Sequence, residues 1–415
     1  MAAHSATLAI NERIQARRAR GEKVLHLGFG EAGLPVLPAV ADVLSSAVAG
    51  NAYGPVVGSL AARDAAAGYF TRRGLATHAD QIVLAPGSKA LLYALLTVLR
   101  GDVVLPVPSW VTYAAQAALA GKRVIDVPVP PEAGGVPDPD RLDEVLRTAR
   151  AVGAEPGILV LTLPDNPTGT LAGADLVRRV CEVAERNGLV VVSDEIYRDL
   201  TYAPETFAGP ATFLPDRTFV TSGLSKSMAL GGWRIGFSRV PATDWGAEVR
   251  DEIVGVASEV WSSLATPMQD AAAYVLGEPA EVTAHVAASR RLHQRVSVAV
   301  HETFTAAGAV CRPPQGCFYV YPDLEVVRPV LAARGVDTGA RLAEHLLDTH
   351  AVGVLAGEAF GDDPRAFRFR VATSLLYGEG DQRWDALNAD DPVSLPWIAA
   401  ALADLDAALR AVTSG

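Results

Sequence analysis

Between Gln81 and Val240 the chain alternates short β-rich runs with helical patterns, and this rhythm limits the folds open to it. The predicted strands are Gln81–Ala85, Val103–Pro106, Arg123–Val127, Ile158–Leu163, Leu189–Asp194, Thr218–Ser222 and Gly236–Val240. Helix-like segments lie between them, among them Ala90–Arg100, Val111–Ala120, Pro139–Ala151 and Ala172–Asn187. A parallel pair needs a long crossover, and a helix supplies it. The pattern therefore predicts an α/β class with a mainly parallel, seven-stranded sheet covered by helices. Ligands of such sheets bind beyond the carboxyl ends of the strands.

At 415 residues the chain is too long for one core. We expect a large domain over 46–300. A smaller α+β domain would combine 1–45, which includes an N-terminal arm, with 301–415. Gln269–Ala307 reads as largely helical with a break at Gly277-Glu278-Pro279, and it can join the two. Beyond the breakers Pro313-Pro314-Gln315-Gly316 come strand-like Cys317–Tyr321, Gly353–Leu355 and Arg368–Ala372. Helices are expected near Thr338–His350 and Pro396–Thr413. The stretch Tyr377–Leu395 reads as a surface loop or an element at the substrate entrance. A net charge of −11 with no basic stripe argues against nucleic acid as a partner. The most apolar stretch, Leu91–Val107, is broken by Arg100, Asp102 and Pro106, so no membrane span is expected. Cys181, Cys311 and Cys317 lack C-x-x-C spacing, which predicts a reducing, cytoplasmic setting and no metal site. The Arg-rich Met1–Gly21 carries Glu12 and no apolar signal core, and is read as part of the mature chain.

Several motifs fall at the predicted strand ends. Lys226 follows Ser222-Gly223-Leu224-Ser225, and Arg234 follows eight residues later within Gly232-Trp233-Arg234-Ile235-Gly236. An amine among small residues can form a Schiff base with an aldehyde, and a nearby guanidinium can hold a phosphate. Asp165-Asn166-Pro167-Thr168-Gly169 either aims an amide into the crevice or is an ordinary turn. Asp194-Glu195-Ile196-Tyr197 ends a buried run; Asp194 is either a partner for a protonated ring nitrogen or a helix cap. Gly87-Ser88-Lys89 opens a helix and is either a phosphate cradle or a plain cap. Trp110 either stacks on a flat ring or packs in the core.

In this order the motifs resemble the class I/II aminotransferases, the aspartate-aminotransferase-like branch of fold-type I pyridoxal-phosphate enzymes. The resemblance runs from about Val24 to the C-terminus. It implies pyridoxal 5'-phosphate as cofactor and Lys226 as the Schiff-base lysine and proton shuttle. It further implies that Asp194 pairs with the pyridine nitrogen. Asn166 and Tyr197 would bond the ring oxygen, and Trp110 would stack on the ring. Gly87, Ser88, Lys89 and Arg234 would lie around the phosphate. Tyr53 matches a tyrosine that reaches the phosphate across a homodimer interface. Arg368 matches the arginine that grips the substrate α-carboxylate, with Arg370 as a nearby competitor on the same side of a strand. Gly30 matches a glycine near that carboxylate.

The chain also departs from the pattern. Relatives often carry serine or threonine where Gly223 stands, which leaves Ser222 or Ser225 to contact the phosphate. Dicarboxylate-specific relatives often bring an arginine from the partner subunit in a segment matching Trp261–Pro267. None occurs here and Trp261 lies near that position, so a substrate with a non-acidic side chain is expected. The implied activity is amino transfer from an amino acid to a 2-oxo acid. Elimination, replacement or cyclisation, as in the aminocyclopropane-carboxylate synthase-like branch, uses the same constellation.

Overall fold

The computed structural model describes residues 6–130, 134–333 and 335–414; the first five residues of the expected arm lie outside it. Strand β1 (Leu25–His26) belongs to the periphery. The main sheet is built from β2 (Ile82–Pro86), β3 (Asp102–Val107), β4 (Val124–Pro128), β5 (Pro156–Thr162), β6 (Val190–Asp194), β7 (Thr218–Gly223) and β8 (Ile235–Arg239). Its order is β2-β8-β7-β6-β5-β3-β4. Strand β8 runs antiparallel to both its neighbours, β2 and β7, and the remaining pairs are parallel. The central strands are apolar on both faces: Val103, Leu159, Val160, Val191, Val192, Phe219 and Val220 are all at most 1% exposed. Such double burial requires helices on each side. One face packs with Leu91, Leu95 and Ile253, the other with Leu142, Val177 and Val180.

A second core gathers β9 (Tyr319–Val320), β10 (Val352–Gly353), β11 (Leu355–Ala356) and β12 (Phe369–Ala372) with the helices Gly339–His350 and Pro396–Ser414. Strands β11, β12 and β9 form one antiparallel sheet, and β1 pairs with β10. The helix Ala280–Ala306 serves both regions. Near its start Val282 joins a cluster with Phe70 and Leu230. Further on, Leu292, Val296, Val300 and Phe304 enter the second core. The expected break at Gly277-Glu278-Pro279 separates it from Thr266–Leu276.

Two elements differ from expectation. Asp244–Val260 is a helix that the strand–helix rhythm did not single out, capped by the Thr243 hydroxyl, which accepts from the Gly246 N–H. Tyr377–Leu395 is not a plain loop. It contains the helix Gln382–Asn388, whose Ala386 and Leu387 are buried in the second core. Among the described residues no helix is long and apolar enough to cross a membrane.

Candidate active site

The carboxyl ends of β2, β3, β5, β6 and β7 and the amino end of β8 converge on a cavity of about 470 Å³. Six of its lining residues carry ionisable acid or basic groups: Glu31, Lys89, Asp194, Lys226, Arg234 and Arg370. Trp110, Asn166, Tyr197 and Tyr319 complete much of the wall.

Lys226 sits in the short helix Leu224–Ser227, directly after β7. Its ammonium donates to the Gly30 carbonyl at 2.5 Å. Burial, then the Arg370 guanidinium, pushes this amine down to about 8, against the pull of Glu31. Roughly a tenth of this amine is therefore neutral at pH 7, far more than for an ordinary lysine. Gly223 has extended backbone, and a Cβ there would stand 2.7 Å from the Ile235 carbonyl oxygen. That close strand approach explains why no serine or threonine fits at this position. Ser225 lines the cavity, but Ser222 does not: its hydroxyl donates to the Glu195 carbonyl at 3.4 Å. Of the two substitutes, only Ser225 is in place.

Asp194, 2% exposed, ends β6. The Tyr113 hydroxyl donates to its Oδ2 at 2.8 Å and the Ile196 N–H to its Oδ1 at 3.2 Å. Tyr113 also shares a 2.7 Å hydrogen bond with the Thr162 hydroxyl. Burial raises the Asp194 carboxyl to about 6, and no cation lies within ion-pair distance of it among the described residues. Trp110 stands edge-on to Tyr113, with ring centres 5.3 Å apart, and the Lys89 ammonium lies 5.1 Å from the Trp110 ring centre. Gly87 has a φ of +85°, and a Cβ there would run into the Arg234 guanidinium. Glycine therefore lets the turn after β2 close on Arg234. Ser88 and Lys89 begin the helix Ser88–Val98.

The structure corrects one assignment. Arg368 does not reach the cavity; its guanidinium is bound by Asp362 at 2.8 Å. Arg370 does reach it. Two residues along an extended chain displace a side chain by about 7 Å even on a shared face, and that step separates the two arginines. Arg370 is 1% exposed and donates to Asn166 Oδ1 at 3.1 Å and to the Gly28 carbonyl at 3.0 Å. Its guanidinium lies 4.7 Å from the Tyr319 ring centre and 5.0 Å from that of Phe360. No carboxylate lies within ion-pair distance among the described residues. Gly30 lines the cavity, and a Cβ on it would meet the Tyr319 hydroxyl. Tyr53 and Trp261 are not part of this chain's cavity. Tyr53 is 93% exposed, and Trp261 ends its helix against the core beneath β3. Tyr113, Thr162, Phe29 and Tyr319 are cavity residues that sequence reasoning missed. The one available signal was alternation in Cys317–Tyr321, which puts residue 319 on a single face.

The model of the family described as aminotransferase class I and II matches residues 22–375. The chain belongs to the class I and II aminotransferases. It is 31% identical over 362 residues to the aspartate/prephenate aminotransferase of Thermus thermophilus, covering 86% of this chain and 89% of that protein. It is 29% identical over 380 residues to the aspartate aminotransferase of Geobacillus stearothermophilus, covering 89% and 92%. The aspartate aminotransferase from Thermus thermophilus solved with maleate superposes with a TM-score of 0.80 at 29% identity, covering 93% of this chain and 95% of that one. The chain is thus a pyridoxal-phosphate-dependent aminotransferase of fold type I. The residues present fit the cofactor: a buried acid without a cation faces the same cavity as an amine near neutrality and an exposed guanidinium held against a glycine turn.

Proposed function

We propose that Arg370, not Arg368, holds the α-carboxylate of an amino acid that gives its amino group to a 2-oxo acid. One observation carries this reading. Arg370 is a buried cation with only neutral acceptors, and buried charges are ordinarily paired. A carboxylate arriving beside Lys226 supplies the missing partner. Pyridoxal phosphate, when bound, supplies an electron sink for the electrons of the substrate Cα–H bond. The protein's own groups do the rest. Asp194 receives the protonated ring nitrogen and keeps it charged. Asn166 and Tyr197 bond the ring oxygen, and Trp110 covers the ring. Ser88, Ser225 and Arg234 hold the phosphate beside Gly87. The Lys226 amine would take the proton from the substrate Cα and return it to the cofactor's C4′ carbon. Gly30 presents its carbonyl to that amine.

The expectation of a non-acidic side chain rests on the absence of arginine from Trp261–Pro267. Two observations favour an acidic one. The cavity wall has four cations, Lys89, Lys226, Arg234 and Arg370, against two acids, Glu31 and Asp194. With Arg234 and the neighbouring Lys89 around the phosphate and Lys226 on the aldehyde, Arg370 remains for the α-carboxylate, and the excess of positive charge in the wall favours a second carboxylate. The relatives named above are called aspartate or aspartate/prephenate aminotransferases, and one was solved with maleate. We further propose a homodimer in a cytoplasmic setting, supported by exposed Val48, Tyr53, Leu60 and Val260 and by three free cysteines. Tyr53 would reach the partner's phosphate site.

Single amino acids added to the cofactor-loaded protein, without a 2-oxo acid, test the reaction. The visible cofactor band should disappear and a 2-oxo acid should restore it, with aspartate or glutamate acting faster than neutral amino acids. Release of a side-chain fragment with the band always regained would assign elimination or replacement instead.

A further inference from the structure

Tyr197 and Tyr319 meet in the cavity wall, one after β6 and one in β9. Their hydroxyl oxygens are 2.8 Å apart and both rings are buried. The rings meet nearly edge to face, with centres 5.6 Å apart. Each hydroxyl has one proton to give, so one of the pair donates and the other accepts. Building on the reading that Tyr197 faces the cofactor's ring oxygen, we infer that Tyr319 is a positioning residue that donates its hydroxyl proton to Tyr197. The Tyr197 proton is then turned into the cavity, toward that ring oxygen.

The charge beside the pair sets the direction of this bond. Burial raises both hydroxyls above the ordinary tyrosine value, so both keep their protons. Arg370 favours ionisation of both hydroxyls but acts unequally: its guanidinium lies over the Tyr319 ring, where it is the chief influence after burial, whereas at Tyr197 it is the smallest of those named. The more acidic hydroxyl of a pair is the better donor. Gly30 leaves room for it, because any side chain there would collide with the Tyr319 oxygen. The other titratable groups near the pair are Lys226, whose ammonium is 5.9 Å from the Tyr197 ring centre, and the buried Cys317 thiol, which burial keeps protonated. A hydroxyl that accepts one hydrogen bond donates a stronger one.

The test is the pH midpoint of the visible band of the cofactor-loaded protein. At high pH the lysine-linked cofactor loses a proton and its ring oxygen carries fuller negative charge. A donor to that oxygen favours the deprotonated form, so weakening the donor raises the midpoint. Tyr197→Phe should raise it by about one to two pH units. Tyr319→Phe should raise it by about 0.3 units. The double variant should match Tyr197→Phe alone, because Tyr319 acts through Tyr197. Tyr319→Phe keeps the ring beside Arg370 and should leave the amino acid KM within about twofold. Tyr319→Leu removes that ring and should raise KM further. An unshifted midpoint in Tyr319→Phe, or shifts that simply add in the double variant, would overturn the inference while Tyr197 kept its role. An unshifted Tyr197→Phe would overturn both.

Discussion

No carboxylate among the described residues pairs with Arg370, whereas Arg368 already has Asp362. Replacing Arg370 with glutamine should therefore lower kcat/KM for any amino acid by about 100- to 1,000-fold, chiefly through KM, at a cost of roughly 3–4 kcal/mol. Arg368→Gln should stay within a few-fold. Steady-state kinetics on both variants decides between the two arginines. The sequence made both visible and favoured Arg368, whereas Arg370 is the one that lines the cavity. Alternation told which face they share, but not that Asp362, six residues earlier in the preceding loop, would capture one of them. Lys226, Asp194 and Asn166 could be placed at the cavity because each lies at or just beyond the end of a predicted strand. Tyr113 and Tyr319 were not, because a tyrosine in a helix or strand reads as core until its hydroxyl partner is known. The lysine also has a pH signature. Only the neutral amine captures an aldehyde, and burial holds this one at about 8. The rate of pyridoxal phosphate capture by the cofactor-free protein should rise with pH and level off above about 8, well below an ordinary lysine's range. Stopped-flow absorbance would measure it.

All seven strands of the large sheet were read from the sequence to within two residues at each end, because doubly buried strands are short apolar runs bounded by turn formers. The helix Asp244–Val260 was harder. Gly246 and Gly255 interrupt its pattern, and Gly246 is there because a Cβ would collide with the Pro241 carbonyl. The helix Gln382–Asn388 escaped for a different reason: with only seven residues it shows no full amphipathic period. Its buried Leu387 nevertheless joins the second core. Leu387→Ala should lower stability by about 2–3 kcal/mol. Chemical denaturation would detect this, and cofactor affinity at low denaturant should not change. Loss of cofactor without loss of stability would instead tie the segment to the entrance.

At the scale of the whole molecule, burial holds His26 at about 4 and His293 at about 3. Both are neutral in the folded chain and protonate near 6.5 once unfolded. Their contribution is complete above pH 6.5 and is lost as pH falls toward those values, roughly 2 kcal/mol each at pH 5. Thermal unfolding should therefore show a falling Tm between pH 6.5 and pH 4, less steep in His293→Gln. The exposed Tyr53 belongs to the same scale. Tyr53→Phe should weaken cofactor retention several-fold without changing Tm of the cofactor-free protein, and equilibrium dialysis would show it. The reversed strand β8 has a further consequence. It alone joins β2 to the rest of the sheet, pairing Ile82 with Arg239 across most of the large sheet's sequence. A nascent chain cannot seat Gly87 against Arg234 until β8 has been synthesised, and Arg370 emerges later still. On the ribosome, then, the turn at Gly87 closes only once the last strand of the large sheet has emerged, and the proposed carboxylate site is completed later than the cofactor site.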